Sequence, residues 1–369
     1  EGIIIPSVRI SAAIFPFART GEQDIYNVRL FEMMPDFTAS LSFYADDCGQ
    51  PVNIREPFTR TRSKVTRTSY YEVNSAWDYA RLSIDSDRSD LHHYSGVILP
   101  LWPAYAPGAD EFTFAVDFGT TNSHVEYCIG DNPARPLSFS EGSEATLVAT
   151  LEAPGSLAQA DTLLDVEFIP RSIDDGYGFP LRTALARNAS TDARPEALRS
   201  VNIPFLYERK PFNGYRVTTM LKWGEEQEGS EQFLREIMLL IRARIILHSG
   251  SLSRARLVYF YPVSMKRSLQ HRYLSLWEDL YTRYLSPSHP DVQVLPESVA
   301  PAYFYHNSST DGSDYACIDI GGGSSDIVIY HADDERMHSH PEIITSFRFA
   351  GNSIFGDAFS HADASNNPM

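Results

Sequence analysis

The chain has 369 residues, 43% of them hydrophobic and 12% aromatic, which is ample for packed cores in two or three domains. A formal charge of −17 and a pI near 5.0 argue against bulk binding to nucleic acid or to an anionic membrane, both of which need a positive field. Three scattered cysteines, Cys48, Cys128 and Cys317, lack metal-ligand spacing and read as reduced thiols. No apolar run approaches the roughly 20 residues that span a bilayer and no signal peptide opens the chain, so the expected compartment is the cytoplasm.

Residues 1–108 read as an all-β module. Phe37, Ala39, Leu41 and Phe43 alternate with polar residues, as do Ala80, Leu82 and Ile84, and the runs Ile3–Ile10 and Val97–Leu101 are also strand-like. Turn signals such as Asp46-Asp47-Cys48-Gly49 separate them at intervals that suit a β-sandwich with Leu41, Phe43, Leu82 and Ile84 between two sheets. No segment shows a helical period. The basic stretch of Arg55, Arg60, Arg62, Lys64 and Arg67 reads as a solvated hairpin arm, and His92-His93 as a surface turn. Pro103, Pro107 and Gly108 mark a linker.

The remainder, 109–369, alternates strands and helices. An apolar strand, Phe112–Val116, runs into Asp117-Phe118-Gly119-Thr120-Thr121-Asn122-Ser123. Ser123 and His124 are strand neighbours and point to opposite faces, which excludes a hydrolase pair. A helix is expected over 231–248 with Gly250 as its stop, then a strand over Leu257–Val263, a helix over 265–284 capped by Ser264, a strand over Val292–Leu295 ending at Glu297, and a short helix over Ser298–Tyr305. A further strand, Tyr315–Ile318, leads to Asp319-Ile320-Gly321-Gly322-Gly323-Ser324-Ser325-Asp326, and another, Ile327–Tyr330, follows.

The two glycine-and-hydroxyl loops carry the chemistry. Glycine lets backbone amides approach a ligand closely, hydroxyls of Thr and Ser add donors, and phosphate oxygens are the acceptors that suit both. An aspartate opens each loop, and carboxylates beside polyphosphate are the usual means of holding hydrated Mg2+. Neither a Gly-x-x-x-x-Gly-Lys-Ser/Thr loop nor a Gly-x-Gly-x-x-Gly turn occurs, and no His-Arg-Asp loop precedes Asp117-Phe118-Gly119.

In this order the loops resemble the phosphate-1 and phosphate-2 motifs of the actin-like ATPase superfamily, which includes sugar kinases, actins and the seventy-kilodalton heat-shock chaperones, the heat-shock branch being the nearest match. Leu295-Pro296-Glu297-Ser298-Val299-Ala300-Pro301-Ala302 looks like the segment whose glutamate faces the attacking water, with Ser298 where the family usually has proline. The resemblance implies an α/β, ribonuclease H-like first lobe behind the β-sandwich, with the second lobe opening near Gly351–Phe359. It implies ATP and Mg2+ as cofactors. Gly119, Thr120, Thr121 and Asn122 would hold the β- and γ-phosphates from one side and Gly321, Gly322, Gly323 and Ser324 from the other. Asp117 and Asp319 would position the metal on one side of a common mixed sheet, and Glu297 with Asp326 would orient the water. Lys222 would meet the γ-phosphate, Arg209 and Lys210 being alternatives.

The implied function is a nucleotide-dependent switch with slow ATP hydrolysis, with a protein partner or client reached through the β-module or through regions beyond this chain. A non-hydrolysing scaffold, an actin-like filament protein and a small-molecule kinase are the alternatives. The heat-shock chaperones have no module ahead of the first loop. Nothing resembling the adenosine motif follows residue 359, and the chain opens on Glu1, so it reads as a fragment expected to bind ATP weakly by itself.

Overall fold

The computed structural model describes residues 9–21, 24–34, 36–46, 49–54, 57–61, 66–86, 93–103, 105–139, 147–152, 179–188, 215–224, 228–286, 291–308, 314–331 and 340–355. Cys48, Arg55, Arg62, Lys64, His92, Arg209, Lys210 and residues 356–369 lie outside them, as do Ile3 and its neighbours through residue 8.

Among the described residues the first 108 form only strands: β1 (Arg9–Phe15), β2 (Tyr26–Met33), β3 (Phe37–Tyr44), β4 (Phe58–Thr61), β5 (Thr66–Val73), β6 (Tyr79–Ser86) and β7 (Tyr94–Ile98). β1, β2, β5 and β4 pair in that order, and β3, β6 and β7 form a second sheet. Period-two alternation gives each strand one apolar face, and the two faces share one cluster. Tyr26, Val28 and Leu30 of β2 and Tyr71 and Val73 of β5 meet Leu41 and Phe43 of β3 around Trp77. Leu82 and Ile84, on the central strand of the small sheet, only border this cluster and stay half-buried. Arg67 is no solvated arm: its Nε lies 2.6 Å from the buried carboxylate of Glu32.

The chain continues with β8 (Phe112–Phe118), β9 (Asn122–Ile129), β10 (Arg135–Pro136), β11 (Ala149–Glu152), β12 (Leu181–Arg182), β13 (Leu185–Asn188) and β14 (Tyr215–Thr218). Then come α1 (Glu228–Leu247), β15 (Arg256–Tyr261), α2 (Arg267–Tyr284), β16 (Val292–Pro296) and α3 (Val299–Ser308). A mixed sheet runs β10-β9-β8-β15-β16 with β12 also on β9; β8 to β10 are antiparallel, while β15 and β16 run parallel to β8. β11 pairs with β1 instead, so the first sheet takes a strand from beyond the linker.

α1 is buried on every side, as a helix must be when both of its faces are covered. Phe233, Leu234 and Ile237 share a core with Phe114, Val116 and Phe118 of β8, and the same core reaches Ala13, Phe15 and Ile25 of the N-terminal region. On that second side the polar residues of β2 and β5 are buried too. Glu72 of β5 pairs with both Arg235 of α1 and Arg283 of α2, and Arg242 donates to Thr20 at 2.9 Å. Ser249, left-handed at φ 51°, turns the chain after α1, and Gly250 follows where a side chain would strike the Phe112 ring. α2 starts at Arg267 rather than 265, and Ser264 does not cap it: its Oγ shares a hydrogen bond with the Ser346 hydroxyl at 2.8 Å.

Glu236 of α1 is 1% exposed, and its Oε2 has no partner among the described residues. Burial pushes its pKa up to about 8, against the opposing pull of Arg235 and with Glu72 adding. The folded chain therefore keeps a proton that the unfolded chain loses near the ordinary glutamate value, and stability falls as pH rises across that window. Glu236→Gln is expected to flatten the fall, read as the difference in thermal midpoint between about pH 5 and about pH 8. An unchanged difference would show that Glu236 is ionised in the fold.

The last strands, β17 (Tyr315–Ile320), β18 (Ser325–His331) and β19 (His340–Phe347), form a separate antiparallel sheet, followed by α4 (Gly351–Phe355). The expectation of one common sheet for both glycine loops is thus corrected. A second sheet begins at Tyr315, well before Gly351, because among the described residues β17 pairs only with its own hairpin partner. Val328 and Tyr330 pack with Ala302 of α3 on one face. Ile318, Ile320, Ile343 and Phe347 are exposed on the other.

Candidate functional site

Each glycine loop is a strand-to-strand turn, and the two turns meet. Residues 119–121 join β8 to β9, and residues 321–324 join β17 to β18. At Gly119 a Cβ would fall on the carbonyl oxygen of Asn122, so only glycine closes this turn. Gly321 N–H donates to Ser324 O at 3.0 Å, closing the second. A Cβ on Gly323 would lie 2.6 Å from Trp223 Nε1 and 2.7 Å from Thr120 Oγ1, and one on Gly322 would overlap Thr121. Glycine is required there for the two loops to touch. The start of α4 locks the second loop, with Gly351 N–H on Gly321 O at 3.0 Å and Asn352 N–H on Gly322 O at 2.9 Å. Thr121 Oγ1 reaches Asn352 Oδ1 at 3.5 Å, from the first loop to α4.

The charged residues converge on the same place. Asp117, near the end of β8, and Asp319, near the end of β17, are both exposed, and the charge of Asp319 raises the proton affinity of Asp117. Although Asp117 still reaches solvent, loss of water around its carboxylate is the larger cause of that rise, with Lys222 and His124 opposing it. Asp326 is 2% exposed and opposite Asp319 in the β17–β18 ladder. Glu297, just past β16, is pushed above the usual carboxylate range by burial, with Asp326 and Asp117 adding and its ion pair to Lys222 opposing. Burial also raises Asp326, against hydrogen bonds from Ser346 and Ser324.

Lys222 is 2% exposed, pairs through Nζ with Glu297 Oε1, and lies 5.9 Å above the Phe118 ring. Its backbone is a 3-10 turn, Leu221–Trp223, entered through Met220 at φ 59° and tied to α1 by Ser230 Oγ, which donates to Leu221 O at 2.6 Å. An ordinary surface lysine is therefore ruled out here. The next residue, Trp223, escaped sequence reasoning: its Nε1–H donates to Thr120 Oγ1 at 2.8 Å. Arg348 stacks on its ring, 4.3 Å from the centre. The only signal for Trp223 was adjacency to the lysine, and Arg348 gave none.

Ser123 and His124 do point apart. Ser123 Oγ bonds the Thr183 hydroxyl at 2.8 Å in the interior, while His124 faces Glu126.

Carboxylate oxygens are the hard donors that Mg2+ prefers, and Asp117 and Asp319 present them at the mouth, with Asp326 Oδ1 buried and unpartnered behind. The set fits a hydrated Mg2+. Among the described residues no group of three or more His, Cys, Asp or Glu side chains could hold a metal ion, so such a cation would need phosphate and water as further ligands.

No family model and no curated protein matches the sequence. Among solved structures the chain is similar to ADP-bound MreB5 of Spiroplasma citri, at 13% identity and a TM-score of 0.36, over 66% of this chain and 54% of that one. It is similar to an exopolyphosphatase from Cytophaga hutchinsonii at 12% identity and TM-score 0.29, over 66% and 52%. A ParM filament from Clostridium botulinum gives 12% identity and TM-score 0.29, over 63% and 64%. The chain thus spans about half the length of the first two structures. At scores this low the likenesses carry no weight, and function has to be argued from the site.

Proposed function

We propose that this chain holds the phosphates of ATP between its two glycine loops and forms part of an actin-like, nucleotide-dependent switch. The observation that carries this is the meeting of the loops, with Lys222, Asp117, Asp319, Asp326 and Glu297 in electrostatic contact around the junction. The sheet order β10-β9-β8-β15-β16, three antiparallel strands followed by two parallel ones, supports a ribonuclease H-like lobe.

In this proposal the amides and hydroxyls of Gly119, Thr120, Thr121 and Asn122 take the β- and γ-phosphates from one side. Gly321, Gly322, Gly323 and Ser324 take them from the other. Asp117 and Asp319 hold Mg2+, which supplies charge neutralisation on the phosphates. Lys222 balances the terminal phosphate, and Glu297 and Asp326 orient a water; their raised proton affinity suits them to accept its proton. Slow hydrolysis coupled to movement of the two sheets, in the manner of the heat-shock chaperones, is the activity proposed for the whole protein, with the N-terminal β-sandwich bearing on a protein partner.

Calorimetric titration with Mg-ATP tests the binding step. Binding should weaken as salt is raised, because its contacts are to phosphate, and Asp117→Ala or Asp319→Ala should weaken it about tenfold or more. Equal affinity in wild type and both variants would refute the site.

A further inference from the structure

Arg348 lies in the turn between β19 and α4 and has no part in the roles assigned above. The turn is fixed to the second loop: Ser325 Oγ donates to Phe349 O at 2.7 Å, and Gly351 N–H donates to Gly321 O at 3.0 Å. The side chain leaves this anchored backbone and lays its guanidinium over the Trp223 ring, 4.3 Å from the centre. The edge of the same indole touches the first loop through Thr120 at 2.8 Å, and Gly323 of the second loop abuts it. A cation from one sheet is thereby held one ring's width from the place where both loops meet.

Its surroundings leave it available. Acidic side chains outnumber Lys and Arg by 48 to 31, so carboxylates are plentiful for an arginine to pair with. Arg235, Arg283, Arg67, Arg19 and Arg256 all have such partners. Arg348 is exposed and, among the described residues, donates to no acceptor and pairs with no carboxylate; its guanidinium rests on Trp223. Stacking of this kind is weak at an exposed site, whereas a planar guanidinium meets a phosphate with two parallel charge-assisted bonds. An anion arriving at the loops would win the side chain from the indole.

We propose that Arg348 recognises the terminal phosphate of a chain of three phosphates and so separates ATP from ADP, an assignment that rests on the two loops holding phosphate. Lys222 cannot fill this role alone, because its ammonium is already paired with Glu297. Arg348 reaches the junction from the other sheet. Its engagement would draw the turn before α4 towards the phosphate end and tie the two sheets through the ligand.

The test is titration of the 369-residue chain with Mg-ATP and Mg-ADP, comparing wild type with Arg348→Gln and Arg348→Lys. Loss of a charge-assisted pair should weaken Mg-ATP about tenfold in Arg348→Gln while Mg-ADP changes by less than about twofold. Arg348→Lys should recover part of the loss, since it keeps the charge without the planar fork. Tryptophan emission gives a second readout: ATP should change it more in wild type than in Arg348→Gln, because the guanidinium leaves Trp223 only where it is present. Wild-type ATP affinity in Arg348→Gln, or equal losses for ATP and ADP, would overturn the assignment. A wild-type chain that binds neither nucleotide would overturn the phosphate site itself and the assignment with it.

Discussion

Gly119→Ala is expected to abolish nucleotide binding and to cost the fold about 1–3 kcal/mol. The added Cβ would fall on the carbonyl oxygen of Asn122, which belongs to the backbone of the same turn and cannot rotate away as a side chain would. Relief requires the turn to open, which moves the Thr120 hydroxyl from Trp223 and the Thr121 hydroxyl from Asn352. The donors of the first loop then no longer face the second. Gly96→Ala is the control: its Cβ would meet nothing within 4 Å, so it should leave binding unchanged. Thermal unfolding and Mg-ATP titration of both variants check this. Retained binding in Gly119→Ala would show that the first loop does not form the site.

Glu72→Ala should cost about 3–5 kcal/mol, lowering the thermal midpoint by about 10 °C. Glu72 bridges Arg235 of α1 and Arg283 of α2, and the side chains of Glu72 and Arg235 are 7% and 11% exposed. Removing the carboxylate strands the Arg235 charge in a site from which water is largely excluded. Arg283, 39% exposed, can turn to solvent and contributes less. Replacing both partners, Glu72→Leu with Arg235→Met, should recover most of the loss, because it is the unpaired charge that costs, not the missing attraction. A small effect in Glu72→Ala, measured by chemical denaturation, would mean that the N-terminal sheets sit on α1 without depending on this pair.

The same pair explains why part of the architecture was not legible in the sequence. β2 and β5 carry Asn27, Arg29 and Glu72 on one face at alternate positions, which reads as a solvent-facing side. Glu72 is buried because Arg235 of α1 and Arg283 of α2 supply its partners, and no local pattern names a partner more than 150 residues away. α1 shows the converse. Its apolar spacing announced a helix at 231–248, and the structure extends it only to Glu228–Leu247, but burial on every side needed the knowledge that a second sheet lies over it.

What the sequence determined by itself was local: strands from period two, α1 and α2 from the helical period, and two glycine turns with their aspartates and hydroxyls. Each depends on residues within a few positions of one another, and the backbone preferences of glycine and the alternation of side chains act at that range. Tertiary structure alone decided that the two loops touch, that they stand on separate sheets, that Lys222 is buried against Glu297, and that Trp223 and Arg348 complete the junction. These are contacts between residues roughly 75 to 230 positions apart, set by how the sheets and helices pack against each other rather than by anything a short stretch of chain encodes.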